Sequence, residues 1–96
     1  MSIIIEHDIE SYLVKRVEAL GGRCLKFIPD YDEGMPDRLI ILPRGVIAFV
    51  ETKRPHGGKL SAMQKYQIHK LEELGCHVYV VKNKGEVDTV LWALYE

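Results

Sequence analysis

Apolar positions recur along this chain with two different periods, and together they mark out seven elements. Ile5, Ile9, Tyr12, Leu13, Val17 and Leu20 fall on one helical face and Gly21-Gly22 stops the run, which predicts a helix from about Ile5 to Leu20. Arg23 to Ile28 reads as a short strand, and Pro29 to Pro36 as a polar loop. Arg38 to Leu42 is the next strand, Pro43-Arg44-Gly45 a turn, and Val46 onward its hairpin partner. That partner is apolar at every position from Val46 to Val50, the pattern of a central strand buried on both faces under a helix. Ser61 is placed to cap a second helix that reaches about Leu74 and ends at Gly75. His77 to Lys82 reads as a fourth strand and about Glu86 to Tyr95 as a last short helix. The apolar residues of that helix (Val87, Val90, Leu91, Trp92, Leu94) fit either a core or a dimer face. The order α-β-β-β-α-β-α predicts an α/β fold, a mixed central sheet flanked by helices, in one domain over residues 1–96.

Chemistry enters where the central strand stops being apolar. Glu51, Thr52 and Lys53 follow Val50, and alternation puts Glu51 and Lys53 on one face, about 7 Å apart along the strand. Alone, this pair reads as an ion pair at a strand end. Asp37 changes the picture. It opens the preceding strand directly after Pro36, and a hairpin pivoting at Arg44 sets it opposite residues near Glu51. Two carboxylates and a lysine then converge at one sheet edge, and the paired carboxylates form a hard-oxygen site suited to Mg²⁺. The lysine is then available to position a water or to counter charge on a transition state.

Two helical residues join the candidates. Glu6 falls within the apolar stripe of the first helix and Glu10 at its margin, whereas Asp8, Lys15 and Glu18 face outward. Acids also favour a helix start for its dipole, so position alone does not settle a role for Glu6. In the second helix Gln64 and Gln67 both lie within the stripe of Leu60, Met63, Leu71 and Leu74. Gln64, nearer the helix start, is the one expected to reach the site, unless it is simply an inner-face amide satisfied locally.

The net charge of −1 by itself argues against a nucleic-acid partner, but its distribution matters more than the sum. Residues 1 to 37 carry eight carboxylates against four bases, while Thr52 to Leu71 hold five bases (Lys53, Arg54, Lys59, Lys65, Lys70), two histidines and no acid. Cys24 and Cys76 lie far apart with no CxxC spacing, which fits small apolar residues in a reduced compartment. The histidines give no zinc spacing. No apolar run is long enough to span a membrane and no signal-peptide pattern is present, so a cytoplasmic protein, of the host cell if viral, is expected.

The residues Pro36-Asp37 and, fourteen positions after Asp37, Glu51-Thr52-Lys53 resemble the signature of the PD-(D/E)xK nuclease superfamily. The wider pattern is similar to that of its VRR-NUC family. Glu6 matches an acid early in the first helix, Gly34-Met35-Pro36-Asp37 a Gly-x-Pro-Asp element, and Val50-Glu51-Thr52-Lys53 the strand end. Ser61-Ala62-Met63-Gln64 and Leu74-Gly75 match the helix that follows. The resemblance spans roughly residues 5 to 82 and implies a restriction-endonuclease-like core. It implies metal binding by Asp37, Glu51 and the Thr52 carbonyl, assistance from Glu6, a catalytic Lys53, and support from Gln64. It further implies hydrolysis of phosphodiester bonds with Mg²⁺, for which Mn²⁺ would substitute. Stand-alone members of this length resemble virus-encoded Holliday junction resolvases that act as homodimers, so branched DNA is the expected partner. The alternatives are a nuclease for flaps, ends or single strands, and a nucleic-acid-binding module that does not cut. The basic stretch from Lys53 to Lys70 is expected to meet phosphates with little regard to base sequence.

Overall fold

Ile9, Leu13 and Val17 are spaced to form one stripe, and in the computed structural model, which describes residues 5–95, that stripe is the fully buried side of α1 (Glu6–Ala19). The chain continues through β1 (Arg23–Lys26), β2 (Arg38–Leu42), a 3₁₀ turn at Pro43–Gly45, β3 (Val46–Thr52), α2 (Ala62–Glu73), β4 (His77–Val81) and α3 (Lys84–Tyr95). The strands lie side by side in sequence order. β1 and β3 run antiparallel to β2, and β4 runs parallel to β3 after the α2 crossover. The expected α-β-β-β-α-β-α order and mixed sheet are therefore present, with β3 an interior strand.

The β2–β3 hairpin pairs Arg38 with Val50 and Leu42 with Val46, so every pair is centred on residue 44. Its turn holds Arg44 at φ 72° and Gly45 at φ 74°. The left-handed conformation is costly for an arginine. Contacts from α3 offset it, because the guanidinium stacks 5.9 Å from the Tyr95 ring centroid and donates to the Tyr95 carbonyl.

α1 and α3 cover one face of the sheet, and the core lies between them: Ile9, Leu13 and Val17 meet Ile40, Leu42, Ala48, Val50 and Val81, with Val87, Leu91 and Leu94 from α3. The last helix thus uses its apolar residues for the core. It begins two residues earlier than the apolar pattern predicts, because Asn83 Oδ1 accepts from the Glu86 N–H (2.8 Å) and Glu86 Oε1 from the Lys82 N–H (2.7 Å). These two bonds cap the first turn and start the helix ahead of its apolar stripe.

The other face corrects one expectation. β3 is not buried on both sides: Ala48 and Val50 are enclosed, but Phe49 is half-buried and Ile47 is 49% exposed. α2 crosses this face without fully burying any of its own residues, and Met63 and Leu74 of the predicted apolar stripe are exposed. One helix is too narrow to cover the apolar row that Leu25, Leu39 and Phe49 form across the strands, where Phe27 meets Phe49 edge to face at 5.5 Å.

Candidate active site

The centring of the hairpin on residue 44 carries Asp37, one step before β2, to the level of Glu51. The Asp37 N–H donates to Glu51 Oε1 at 3.2 Å. In return the end of β3 holds the Asp37 carboxylate from two sides: Thr52 N–H donates to Oδ1 and Thr52 Oγ1–H to Oδ2, both at 3.2 Å. Thr52 itself is 1% exposed. A β-branched strand residue has a stiff side chain, so these two donors fix the orientation of the carboxylate. The backbone conformation enforced by Pro36, itself fully buried, sets where that carboxylate begins.

Glu51 is buried and meets donors on its other oxygen. Gln64 Nε2 donates to Oε2 at 3.0 Å, and Lys53 Nζ lies 3.5 Å from the same atom. The Gln64 amide has no freedom to turn over, because its Oε1 accepts from the Ser61 N–H (2.9 Å) while Ser61 Oγ accepts from the Gln64 N–H (3.1 Å). The capping box that starts α2 therefore also aims an N–H pair at the sheet edge. Gln67, the other inner-face glutamine, serves the scaffold. Its Nε2 donates to the Glu33 carbonyl at 3.0 Å and ties α2 to the loop ahead of Asp37.

Glycine is required where that loop meets α2. Gly34 sits at φ +84°, and a Cβ there would lie 2.7 Å from Met63 Cγ, 2.9 Å from the Met63 carbonyl carbon and 3.0 Å from Gln64 N. Gly34→Ala is expected to lower stability by about 2 kcal/mol or more, combining backbone strain with overpacking. Since the displaced backbone carries Gln64, cleavage of nucleic acid should fall as well. Chemical denaturation beside an activity assay checks both.

The electrostatics are those of two carboxylates sharing a partly buried site. Burial, followed by repulsion from Asp37, pushes the Glu51 carboxyl up to about 7, with Lys53 and the Asp37 N–H pulling the other way. Asp37 is also raised, chiefly by burial, with the Thr52 donors opposing and the Glu10 charge adding to the rise. A carboxyl that holds its proton more tightly when folded favours the folded state at low pH and loses that advantage as pH climbs. Without divalent cations, stability should therefore fall as pH rises from about 4.5 through about 7, by at most about 3 kcal/mol from Glu51. Thermal midpoints of wild type and Glu51→Gln at pH 5 and pH 8 isolate this contribution, because the variant has nothing to titrate at that position.

The arrangement fits a hard divalent cation. Asp37 Oδ1 and Oδ2 and Glu51 Oε1 each accept one hydrogen bond, which leaves each a lone pair, and the Lys53 ammonium at Glu51 Oε2 does not outweigh the burial that raises both carboxyls. Among the described residues no group of three or more His, Cys, Asp or Glu is placed to share an ion. Two carboxylates with open positions suit Mg²⁺, which keeps much of its water.

The structure thus brings together Asp37, Glu51, Thr52, Lys53 and Gln64. Glu6 stands apart. It is exposed on the rim of a cleft of about 700 Å³ that Lys53 also lines. Glu10 is paired with Arg38 at 2.9 Å, both side chains about 15% exposed, and its charge is felt at Asp37. Arg38 is a residue that pattern reading does not single out. Its place directly after Asp37 was a signal, since a strand-end base beside an acid needs a partner. Neither cysteine forms a disulfide, and burial pushes the Cys24 thiol up to about 11, far from a reactive thiolate.

Comparison with known proteins decides the family. The VRR-NUC domain family matches residues 6–85. The chain belongs to the VRR-NUC family. A VRR-NUC domain of solved structure superposes with a TM-score of 0.86 at 37% identity, covering 95% of this chain and 97% of that one. The p44 protein of Acyrthosiphon pisum secondary endosymbiont phage 1, whose name proposes a nuclease, is 38% identical over 94 residues, or 98% of this chain and 99% of the relative. VRR-NUC membership supports a nuclease and, with it, a nucleic-acid substrate. No helix of the VRR-NUC chain, among the described residues, is long and apolar enough to cross a membrane.

Proposed function

We propose that this chain is a divalent-metal-dependent, structure-specific DNA endonuclease that resolves four-way junctions as a homodimer. The observation that carries the reading is the Asp37 carboxylate held by both donors of Thr52 beside a buried Glu51. Asp37 and Glu51, with the Thr52 carbonyl, hold Mg²⁺ or Mn²⁺. When bound, the cation lowers the pKa of water and neutralises charge on the phosphodiester. Thr52 and Gln64 keep the two carboxylates from rotating, so the donor set needs little reorganisation as charge develops. Lys53 places an ammonium at the Glu51 carboxylate, where it orients the attacking water or counters charge on the phosphate. The partial burial of the site limits competition from bulk water.

Support for a homodimer comes from the face that α2 leaves open. Ile47 on the sheet (49% exposed) and Met63 and Tyr66 on α2 (48% and 56%) are exposed apolar or aromatic residues of the α2 side. A two-fold interface places the same patch on itself, and an apolar patch is self-complementary in that sense. Two sites related by a two-fold axis match the symmetry of a junction. Ile47→Glu is expected to halve the mass seen by light scattering while the thermal midpoint stays within a few degrees, since the residue lies outside the core. A wild-type monomer at micromolar concentration would remove the dimer from the account.

The activity is tested by incubating the protein with a labelled four-way junction, a matched duplex and a single strand, with Mg²⁺, Mn²⁺ or EDTA. Symmetric metal-dependent nicking of the junction alone is expected. Cutting of duplex or single strand to the same extent would keep the nuclease and discard junction specificity. Binding without cutting under either metal would make the chain a non-catalytic binding module.

A further inference from the structure

The bases between Lys53 and Lys70 do not form one patch. The structure divides them, and a lysine from elsewhere in the chain joins one part. The loop leaving β3 folds back on its own start: a Cβ on Gly58 would lie 2.5 Å from the Arg54 carbonyl oxygen, 3.0 Å from Arg54 N and 3.1 Å from Lys53 Cβ. Gly57, at φ +76°, lies beneath the Arg54 side chain, with all three nearest guanidinium atoms 3.6 to 3.9 Å from where its Cβ would be. The turn therefore carries the Arg54 side chain over Gly57, one residue on from Lys53.

This loop separates two clefts that meet at Gly58 and Lys59. The first, about 700 Å³, is lined by Lys53 itself, Arg54, His56, Lys59 and His7, with Glu6 as its one acid. The second, about 520 Å³, is lined by Lys59, Lys65 and Lys82, with Glu86 as its one acid. The Glu86 carboxylate already accepts from the Lys82 N–H at the cap of α3. Arg54, Lys59, Lys65 and Lys82 are exposed and have no salt-bridge partner among the described residues, whereas Arg16, Arg38, Lys53 and His69 each have one. Unpaired cations lining connected concave surfaces are a footprint for a chain of anions. Lys70, which the sequence groups with the others, lines neither cleft, and Lys82 at the end of β4 takes its place.

We propose that one strand of the nucleic acid leaves the Asp37–Glu51–Lys53 site along these two clefts, its phosphates held first by Arg54 and Lys59 and then by Lys65 and Lys82. This path rests on the nuclease reading but makes separate demands. The contacts are to phosphate, so they add affinity and direction without reading bases. Lys59, shared by both clefts, is the pivot.

The test measures binding of the wild-type protein to a labelled duplex in EDTA, where nothing is cut, across a range of KCl concentrations. Each phosphate contact contributes about 0.9 to the slope of log K against log salt for duplex DNA. Lys59→Gln, Lys65→Gln and Lys82→Gln are each expected to reduce the slope by about that amount, with Lys70→Gln and Lys15→Gln leaving it unchanged. With Mg²⁺, Lys82→Gln should raise KM several-fold and leave kcat within about twofold, since it lies away from the reacting groups. Equal slopes for all five variants, or a loss at Lys70 as large as at Lys82, would overturn the path. Failure of the nuclease reading looks different: no variant or wild type cuts with metal, while the salt slopes still report where DNA lies. Absence of DNA binding at low salt would remove the path outright.

Discussion

Asp37→Asn is expected to abolish cleavage, by about a thousandfold or more, and at the same time to raise the thermal midpoint at pH 8. The two effects have one cause. An asparagine fits the site with every contact retained, because its carbonyl can accept from the Thr52 N–H while Thr52 Oγ1 turns to accept from the amide. What disappears is a half-buried negative charge that its partial burial opposes and that pushes Glu51 up. Losing it should stabilise the fold, and in a domain of this size each 1 kcal/mol gained is a rise of about 4–8 °C. The same charge is needed for the cation, which contributes several kcal/mol to the transition state, and about 4 kcal/mol is a thousandfold in rate. A variant that is both inactive and less stable would mean that Asp37 serves the fold.

Lys53→Met separates chemistry from metal binding. Methionine retains much of the side chain's length and apolar stem, so the strand end keeps its packing, but the ammonium 3.5 Å from Glu51 Oε2 is gone. The turnover rate should fall by about a hundredfold or more, the range for loss of one proton-transfer or charge-stabilising group. Mn²⁺ binding above pH 8 should persist. Lys53 is one of the groups that lower the Glu51 pKa, so its removal raises that pKa and moves the onset of metal binding to higher pH. Titrating the metal at pH 7 and pH 8.5 reveals the shift. Loss of binding at both pH values would make Lys53 part of the metal site's framework instead.

The hairpin was the most legible part of the fold. A turn at Pro43-Arg44-Gly45 and two apolar strands suffice to set the register, and the register alone carries Asp37 to Glu51. Gln64 was legible from its inner-face position near the start of α2, and the capping box with Ser61 that the structure adds ties its carbonyl and leaves its N–H₂ to face the sheet. The open face was not. A row of apolar residues has the same pattern whether a helix covers it, a second chain covers it, or it is half exposed, so Val46 to Val50 pointed to burial on both sides. The acids of α1 were ambiguous on the helical wheel, and side-chain pairing separates them. Glu10 is occupied by Arg38, and Glu6 stays on the cleft rim. Lys82 was invisible in the linear charge pattern because it reaches the basic clefts from just beyond β4, far along the chain from the other bases.

The carboxylate pair as a divalent-cation site is the claim on which the rest depends. Calorimetric titration of Mn²⁺ into the protein at pH 8, without nucleic acid, tests it most directly when wild type and Asp37→Asn are compared. Saturable binding by the wild type that disappears in the variant is the predicted result. No binding by the wild type, or equal binding by both proteins, would contradict it.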